Sequence, residues 1–85
     1  MPGGWRVFTS RQVFDRWEGR SSYSPEALVA YWDWVVARTQ HGPPDDALRV
    51  LGDEELLVAG IPGTNLMVTF LAIAQDQAMI VKEIT

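Results

Sequence analysis

The sequence predicts an α+β domain in which two N-terminal helices pack on one face of an antiparallel sheet. One short segment of alternating residues is followed by two segments with helical periodicity and then by strand-like segments, in the order β-α-α-β-β-β(β). The later strands are joined by short turns, whereas parallel pairing needs crossovers of about a dozen residues. With 85 residues and 47% hydrophobic residues, the chain suits a single domain over residues 1–85.

The first two elements are a strand and a short helix. Aromatic and β-branched residues alternate with other residues over 5–9, which is typical of a strand. Ser10 can cap the helix that follows, because the apolar residues of 13–17 recur at helical spacing. Gly19 is expected to end this helix, since glycine is common just past a helix end.

A second helix is predicted from Ser24, where a hydroxyl cap precedes a proline and a glutamate. It should end near Gln40, ahead of a glycine and two prolines. The apolar residues at helical spacing are Leu28, Tyr31, Trp32, Val35 and Val36. Of these we expect Leu28, Trp32 and Val35 to pack against the sheet.

The second half of the chain predicts a meander of strands over 47–51, 55–61, 66–73 and 78–84. The third of these is apolar at every position except Thr69, so it should lie at the centre of the sheet. We expect the first strand of the chain to pair at the side of this meander.

Composition excludes several kinds of protein. The net charge of −4 has the wrong sign for coating nucleic acid by charge alone. The chain has no cysteine and one histidine, so we expect no metal site and no cofactor. Turn residues divide the longest nearly uncharged stretch, and no signal-peptide pattern precedes it, so we expect a cytoplasmic protein without membrane spans.

The pattern of strand, paired helices and C-terminal meander resembles the RelE/ParE superfamily of small toxins. The resemblance also includes Leu48-Arg49-Val50-Leu51-Gly52, the strand over 56–61 and the strand over 67–73. It implies the toxin of a toxin–antitoxin pair, neutralised by an antitoxin-like partner protein. RelE-like members are messenger RNA endoribonucleases that act in the ribosome, and ParE-like members inhibit DNA gyrase.

The charge of the second half departs from the family pattern, because RelE-like nucleases are usually basic. Residues 43–85 contain two basic residues and seven acidic ones, which leaves a net charge of −5. An acidic surface repels a polyanionic substrate unless its acids point away. The alternative function is therefore a non-catalytic protein-interaction module on the same scaffold, such as a degenerate toxin or a phage-borne adaptor.

Three residues are candidates for catalysis. The resemblance implies that Arg49 contacts phosphate, and Lys82 in the last strand is a second cation. The alternative is that both are exposed strand residues paired with neighbouring acids. His41 suits a general acid or base, because histidine is the residue type that most readily exchanges protons near neutral pH, or it simply finishes the second helix.

Three further residues are candidates for binding. Arg16 and Arg20 carry positive charge that can contact an acidic partner or an RNA backbone, or they are solvated residues among acids. Trp34 lies about 200° around the helix from Trp32, so we expect it to face away from the core. There it can anchor a partner or pack against the N-terminal segment. The sequence leaves the oligomeric state open.

Overall fold

The structure is a computed structural model that describes residues 4–85, apart from the side chains of residues 53 and 54. It confirms the predicted α+β class, with two helices packed on a five-stranded sheet. The elements are β1 (Arg6–Thr9), α1 (Arg11–Glu18), α2 (Pro25–His41), β2 (Leu48–Val50), β3 (Asp53–Gly60), β4 (Met67–Ile73) and β5 (Ala78–Ile84). A 3₁₀ turn over Ala74–Asp76 joins β4 to β5.

The sheet has the strand order β1-β5-β4-β3-β2. The meander from β2 to β5 is antiparallel, as the short turns predicted, and β4 lies at the centre. β1 instead runs parallel to β5, with Val7 opposite Met79 and Thr9 opposite Val81, so the whole sheet is mixed. Both helices and three strands separate β1 from β5 along the chain, so no tight turn constrains this pair to be antiparallel.

The two helices begin where the sequence predicted. The Ser10 hydroxyl accepts the N–H of Val13 at 3.3 Å, and the Ser24 hydroxyl accepts the N–H of Ala27 at 3.0 Å. Each hydroxyl therefore satisfies a backbone donor that the first turn of a helix leaves unpaired.

The end of α2 is positioned against the start of β1. Gly42 follows the helix with a φ of 77°, a conformation that favours glycine, and a Cβ there would lie 2.7 Å from the indole nitrogen of Trp5. The N–H of Trp5 donates to the carbonyl of Thr39 at 2.8 Å. These contacts hold the edge strand β1 alongside the last turn of α2.

Aromatic rings dominate the core between the helices and the sheet. Tyr31 is fully buried, and its ring centroid lies 5.7 Å from that of Phe14, 5.8 Å from that of Trp17 and 6.1 Å from that of Trp34. Its hydroxyl is hydrogen-bonded to that of Thr9 in β1. One side chain therefore contacts both helices and the edge strand of the sheet.

The expected positions of two tryptophans are wrong. Trp34 is only 5% exposed and packs edge-on against Phe70 of β4, whereas Trp32 is 48% exposed. Large apolar residues occur around most of α2, so helical spacing alone could not show which of them face the sheet. Trp34 is thus a core residue and offers no exposed ring to a partner.

Neither helix in the described part of the chain is long and apolar enough to cross a membrane.

We predict that Trp17→Ala destabilises the protein far more than Trp32→Ala. Trp17 is fully buried, and its removal should cost about 3–5 kcal/mol of the free energy of unfolding. Trp32 is half exposed, so its removal should cost only about 1–2 kcal/mol. Urea unfolding followed by circular dichroism measures both values, and equal losses would contradict this assignment of the core.

Tyr31 should make the protein less stable at high pH. Burial raises its pKa to about 12, against a smaller opposing effect of the hydrogen bond with Thr9. Between pH 10 and 12 the unfolded state therefore loses this proton first, and stability falls by about 2–3 kcal/mol as the pH rises through that window. Below pH 10 the contribution of the buried Tyr31 hydroxyl to the free energy of unfolding is fully present.

The control for this prediction is Tyr31→Phe, which keeps the ring and removes the titrating hydroxyl. The free energy of unfolding of both proteins, measured from pH 8 to 12, should fall more steeply for the wild type. Parallel curves would mean that Tyr31 does not contribute to the pH dependence.

Candidate functional site

Helix α1 lies against β5 and brings two arginines to the same strand. The Arg16 guanidinium donates from Nη2 to the backbone carbonyl of Lys82 at 3.1 Å. Arg20, which lies just beyond the helix, donates from Nη2 to Oε2 of Glu83 at 2.7 Å. The structure therefore brings together three of the predicted residues, Arg16, Arg20 and Lys82.

Lys82 occupies a β-bulge. The pairing of β4 with β5 shifts between Thr69 and Phe70, which lie opposite Glu83 and Val81, so Lys82 has no residue directly opposite. A bulge leaves backbone groups outside the ladder, and here the Arg16 guanidinium binds the carbonyl of the bulged residue. Bulges often redirect a side chain near a functional site.

A groove of about 490 Å³ runs between the start of α1 and the strands β1 and β5, and we call it the β5 groove. Its lining combines an aromatic ring, hydroxyls, an amide and two cations. The residues that supply these groups are Phe8, Thr9, Ser10, Gln12, Arg16 and Lys82. Such a combination suits a ligand that carries both phosphates and flat rings.

The β5 groove is positive although the whole chain has a net charge of −4. Both charged residues that line it, Arg16 and Lys82, are cations. The neighbouring carboxylate of Glu83 is paired with Arg20. Among the side chains that the structure describes, no carboxylate lies within ion-pair distance of the Lys82 ammonium, so this charge is open to a ligand.

The groups in the β5 groove can bind and stabilise an anion. An ammonium and a guanidinium can neutralise the charge that develops on phosphate oxygens during phosphoryl transfer. The described residues that line this groove include no histidine, aspartate or glutamate, the residue types that most often exchange protons near neutral pH. What its two cations supply is electrostatic stabilisation of an anion.

Arg49 lies at the other side of the sheet. It is exposed on the edge strand β2, opposite Leu57 of β3, and lines a small hollow together with Glu55 and Ile73. Two strands separate β2 from β5, which puts the backbones of Arg49 and Lys82 about 14 Å apart across the sheet. These two cations therefore do not form one compact centre.

His41 lies towards the opposite end of β5 from Lys82. It is the exposed last residue of α2, at the end of the sheet where β5 begins. Lys82 lies four residues after Ala78, the first residue of β5, which puts it about 13 Å further along the strand. This position matches the alternative interpretation, in which His41 finishes the helix near the negative end of its dipole.

Sequence reasoning missed Phe8 as a site residue. Its side chain is 49% exposed at the β5 groove, and the guanidinium of Arg6 lies 5.8 Å from its ring centroid. The alternation along β1 contained the signal, because Thr9 faces the core and its neighbour Phe8 must point to the other side.

In the described part of the chain, no three histidine, aspartate, glutamate or cysteine side chains lie close enough together to hold a metal ion. The side chains of Asp53 and Glu54, the first two residues of β3, lie outside the description.

Comparison with solved structures finds the same fold in the toxin RelE of Escherichia coli. That structure is the free state of a variant in which two arginines are changed to alanine. The match covers 95% of this chain and 81% of the RelE chain, with a TM-score of 0.69 and 9% sequence identity. The chain therefore has the RelE fold, as the resemblance implied. No family model and no curated protein sequence matches it.

We predict that the β5 groove binds single-stranded RNA through Lys82 and Arg16. Lys82→Met and Arg16→Met should each weaken the binding of a fluorescein-labelled oligoribonucleotide by about threefold to tenfold. Each should also reduce the slope of log affinity against log salt by about 0.7. Arg11→Met, on the other side of α1, removes the same charge as a control. An equal loss with the control would show that only net charge matters.

Proposed function

We propose that this chain is the toxin of a RelE-like toxin–antitoxin pair and that it inhibits translation by cleaving messenger RNA in the ribosome. The observation that supports this proposal most is the fold shared with RelE over 95% of the chain. The proposal places its action in the cytoplasm, where the ribosomes are, and gives it an antitoxin as its partner protein.

The β5 groove is the proposed site of contact with the message. Lys82 and Arg16 would hold the phosphates, and the half-exposed ring of Phe8 would stack against a base. The neighbouring acid, Glu83, is paired with Arg20, so the acidic composition of the chain does not oppose RNA binding at this groove. This local arrangement supports an RNA substrate.

The catalytic contribution of these residues would be electrostatic. Lys82 and Arg16 would stabilise the charge on the phosphate oxygens as the backbone of the message is broken. The ribosome can align the strand for reaction, so the protein needs only a few correctly placed groups. In this proposal His41 does not exchange a proton, because it lies at the far end of β5.

Arg49 is proposed as a second contact with the same strand. It lies on the edge of the sheet about 14 Å from Lys82, which is too far for both to bind one phosphate through short contacts. A single strand that crosses the sheet would pass both cations. Arg49 would then add affinity without taking part at the phosphate that reacts.

Induced expression in a bacterial host tests the proposed function. We expect growth arrest within one doubling, together with messenger RNA cleaved at ribosome-bound positions, measured by primer extension. Growth arrest with DNA damage and intact messages would instead indicate gyrase inhibition. Normal growth at a confirmed protein level would favour the non-catalytic module. Either of these two results would refute the proposal.

Variants connect the arrest to the site. Lys82→Ala together with Arg16→Ala should reduce cleavage in a purified translation system by at least about a hundredfold, since each lost charge contact is worth about tenfold. Arg49→Ala should reduce it less, and His41→Ala should leave it unchanged. If His41→Ala abolished cleavage while the groove variants stayed active, the site assignment would be wrong.

A further inference from the structure

Helix α2 has two apolar faces, and the fold covers only one of them. Tyr31, Trp34 and Val35 are buried. On the other side, Val29 is 62% exposed, Trp32 is 48% exposed and Val36 is 54% exposed. Spacings of three and four residues place these exposed side chains along one stripe of the helix.

A groove of about 380 Å³ beside this stripe separates α2 from α1. Its floor is apolar and aromatic, and consists of Phe14, Tyr23, Leu28 and Trp32. The rings of Phe14 and Trp32 lie 5.7 Å apart at an angle of 31°. We call the exposed stripe and this groove together the outer helix face. It shares no lining residue with the β5 groove, so both surfaces can be occupied at once.

Acidic residues border the outer helix face on both sides. On α1 the rim contains Asp15 and Glu18, with Arg11 as its one cation among the lining residues. On α2 the exposed residues Glu26 and Asp33 are seven positions apart, which puts them on one flank, away from Trp32. The surface therefore has an apolar centre and a net negative border.

We propose that the outer helix face binds an amphipathic helix of a separate protein, with an apolar stripe and basic residues along both of its edges. The apolar stripe would cover Val29, Trp32 and Val36, and the basic edges would face the two acidic borders. Docking of an amphipathic helix into a groove between helices is a common mode of recognition. A half-exposed tryptophan at the centre is typical of residues that dominate binding energy.

Charge argues against a second copy of this chain as the occupant. Two copies related by a twofold axis with antiparallel α2 helices would bring the flank of Glu26 and Asp33 against the same flank of the other copy. Like charges placed together across an interface are repulsive. A basic helix avoids this repulsion, because its positive edges attract the carboxylates of Glu26 and Asp33.

Designed peptides test this proposal without knowledge of the natural partner. The probe is a fluorescein-labelled peptide of about 18 residues, long enough for five turns, with leucine at i, i+3, i+4 and i+7 and lysine elsewhere. One control peptide has glutamate in place of lysine, and a second has the lysine and leucine residues in scrambled order. Fluorescence anisotropy should show the probe binding at least about tenfold more tightly than either control.

Variants assign the binding to this surface. Val29→Ser combined with Val36→Ser changes two exposed residues, so the fold should be kept, and affinity for the probe should fall at least about tenfold. Glu26→Gln combined with Asp33→Asn should lower affinity and flatten its salt dependence. Leu51→Ser, at a fully exposed leucine in the turn between β2 and β3, is the matched control and should bind as the wild type does.

Several results would overturn the proposal. Equal binding of the scrambled peptide would show that the amphipathic pattern does not matter. Equal binding of the glutamate peptide would show that basic charge does not matter. Unchanged binding by the Val29→Ser and Val36→Ser variant would place the peptide elsewhere. A dimer in sedimentation that this same variant dissociates would make a second copy the occupant. None of these measurements depends on RNA cleavage, so they can fail while the proposed function stands.

Discussion

The buried ring of Tyr31 is the contact on which the arrangement of the helices and the edge strand depends. It lies between α1 and the other rings of α2, and its hydroxyl meets the hydroxyl of Thr9 in β1. A buried hydroxyl without a partner would cost about 1–3 kcal/mol, so the position of β1 is tied to that of α2. Through β1, this contact also defines one wall of the β5 groove.

The positive site of this acidic protein is a product of local geometry. A bulge in β5 takes Lys82 out of the ladder, and the Arg16 guanidinium binds the carbonyl that the bulge leaves free. Arg20 meanwhile pairs with the nearest carboxylate, that of Glu83. Net charge describes how a protein behaves at long range, whereas a groove is governed by the few charges that line it. An overall charge of −4 is therefore compatible with an anion-binding surface.

Helix α2 combines a buried apolar face with an exposed apolar face. Its buried face supplies Tyr31 and Trp34 to the core, and its outer face presents Val29, Trp32 and Val36 to solvent. Keeping three large apolar side chains exposed has no benefit for the isolated chain, since each would gain free energy from being covered. The outer helix face is thus the part of the molecule that is most readily explained by a partner.

Much of the fold could be predicted from the sequence because its signals are local. The hydroxyls of Ser10 and Ser24 cap helices through contacts within three residues, and Gly19 and Gly42 follow the helix ends. The short turns between β2 and β5 permit only antiparallel neighbours, so the meander was also determined locally. The cationic residues Lys82, Arg16 and Arg20 could be named for the same reason, since charge is a property of the residue alone.

Only the tertiary structure decided which residues meet. The parallel pairing of β1 with β5, the bulge at Lys82 and the approach of Arg16 to it join residues far apart in the chain, and no local pattern specifies such contacts. The roles of Trp32 and Trp34 were decided in the same way. A helix with apolar residues around most of its circumference can turn either side to a sheet. The choice belongs to the packing of the whole core, in which Trp34 lies against Phe70 and Trp32 is left outside.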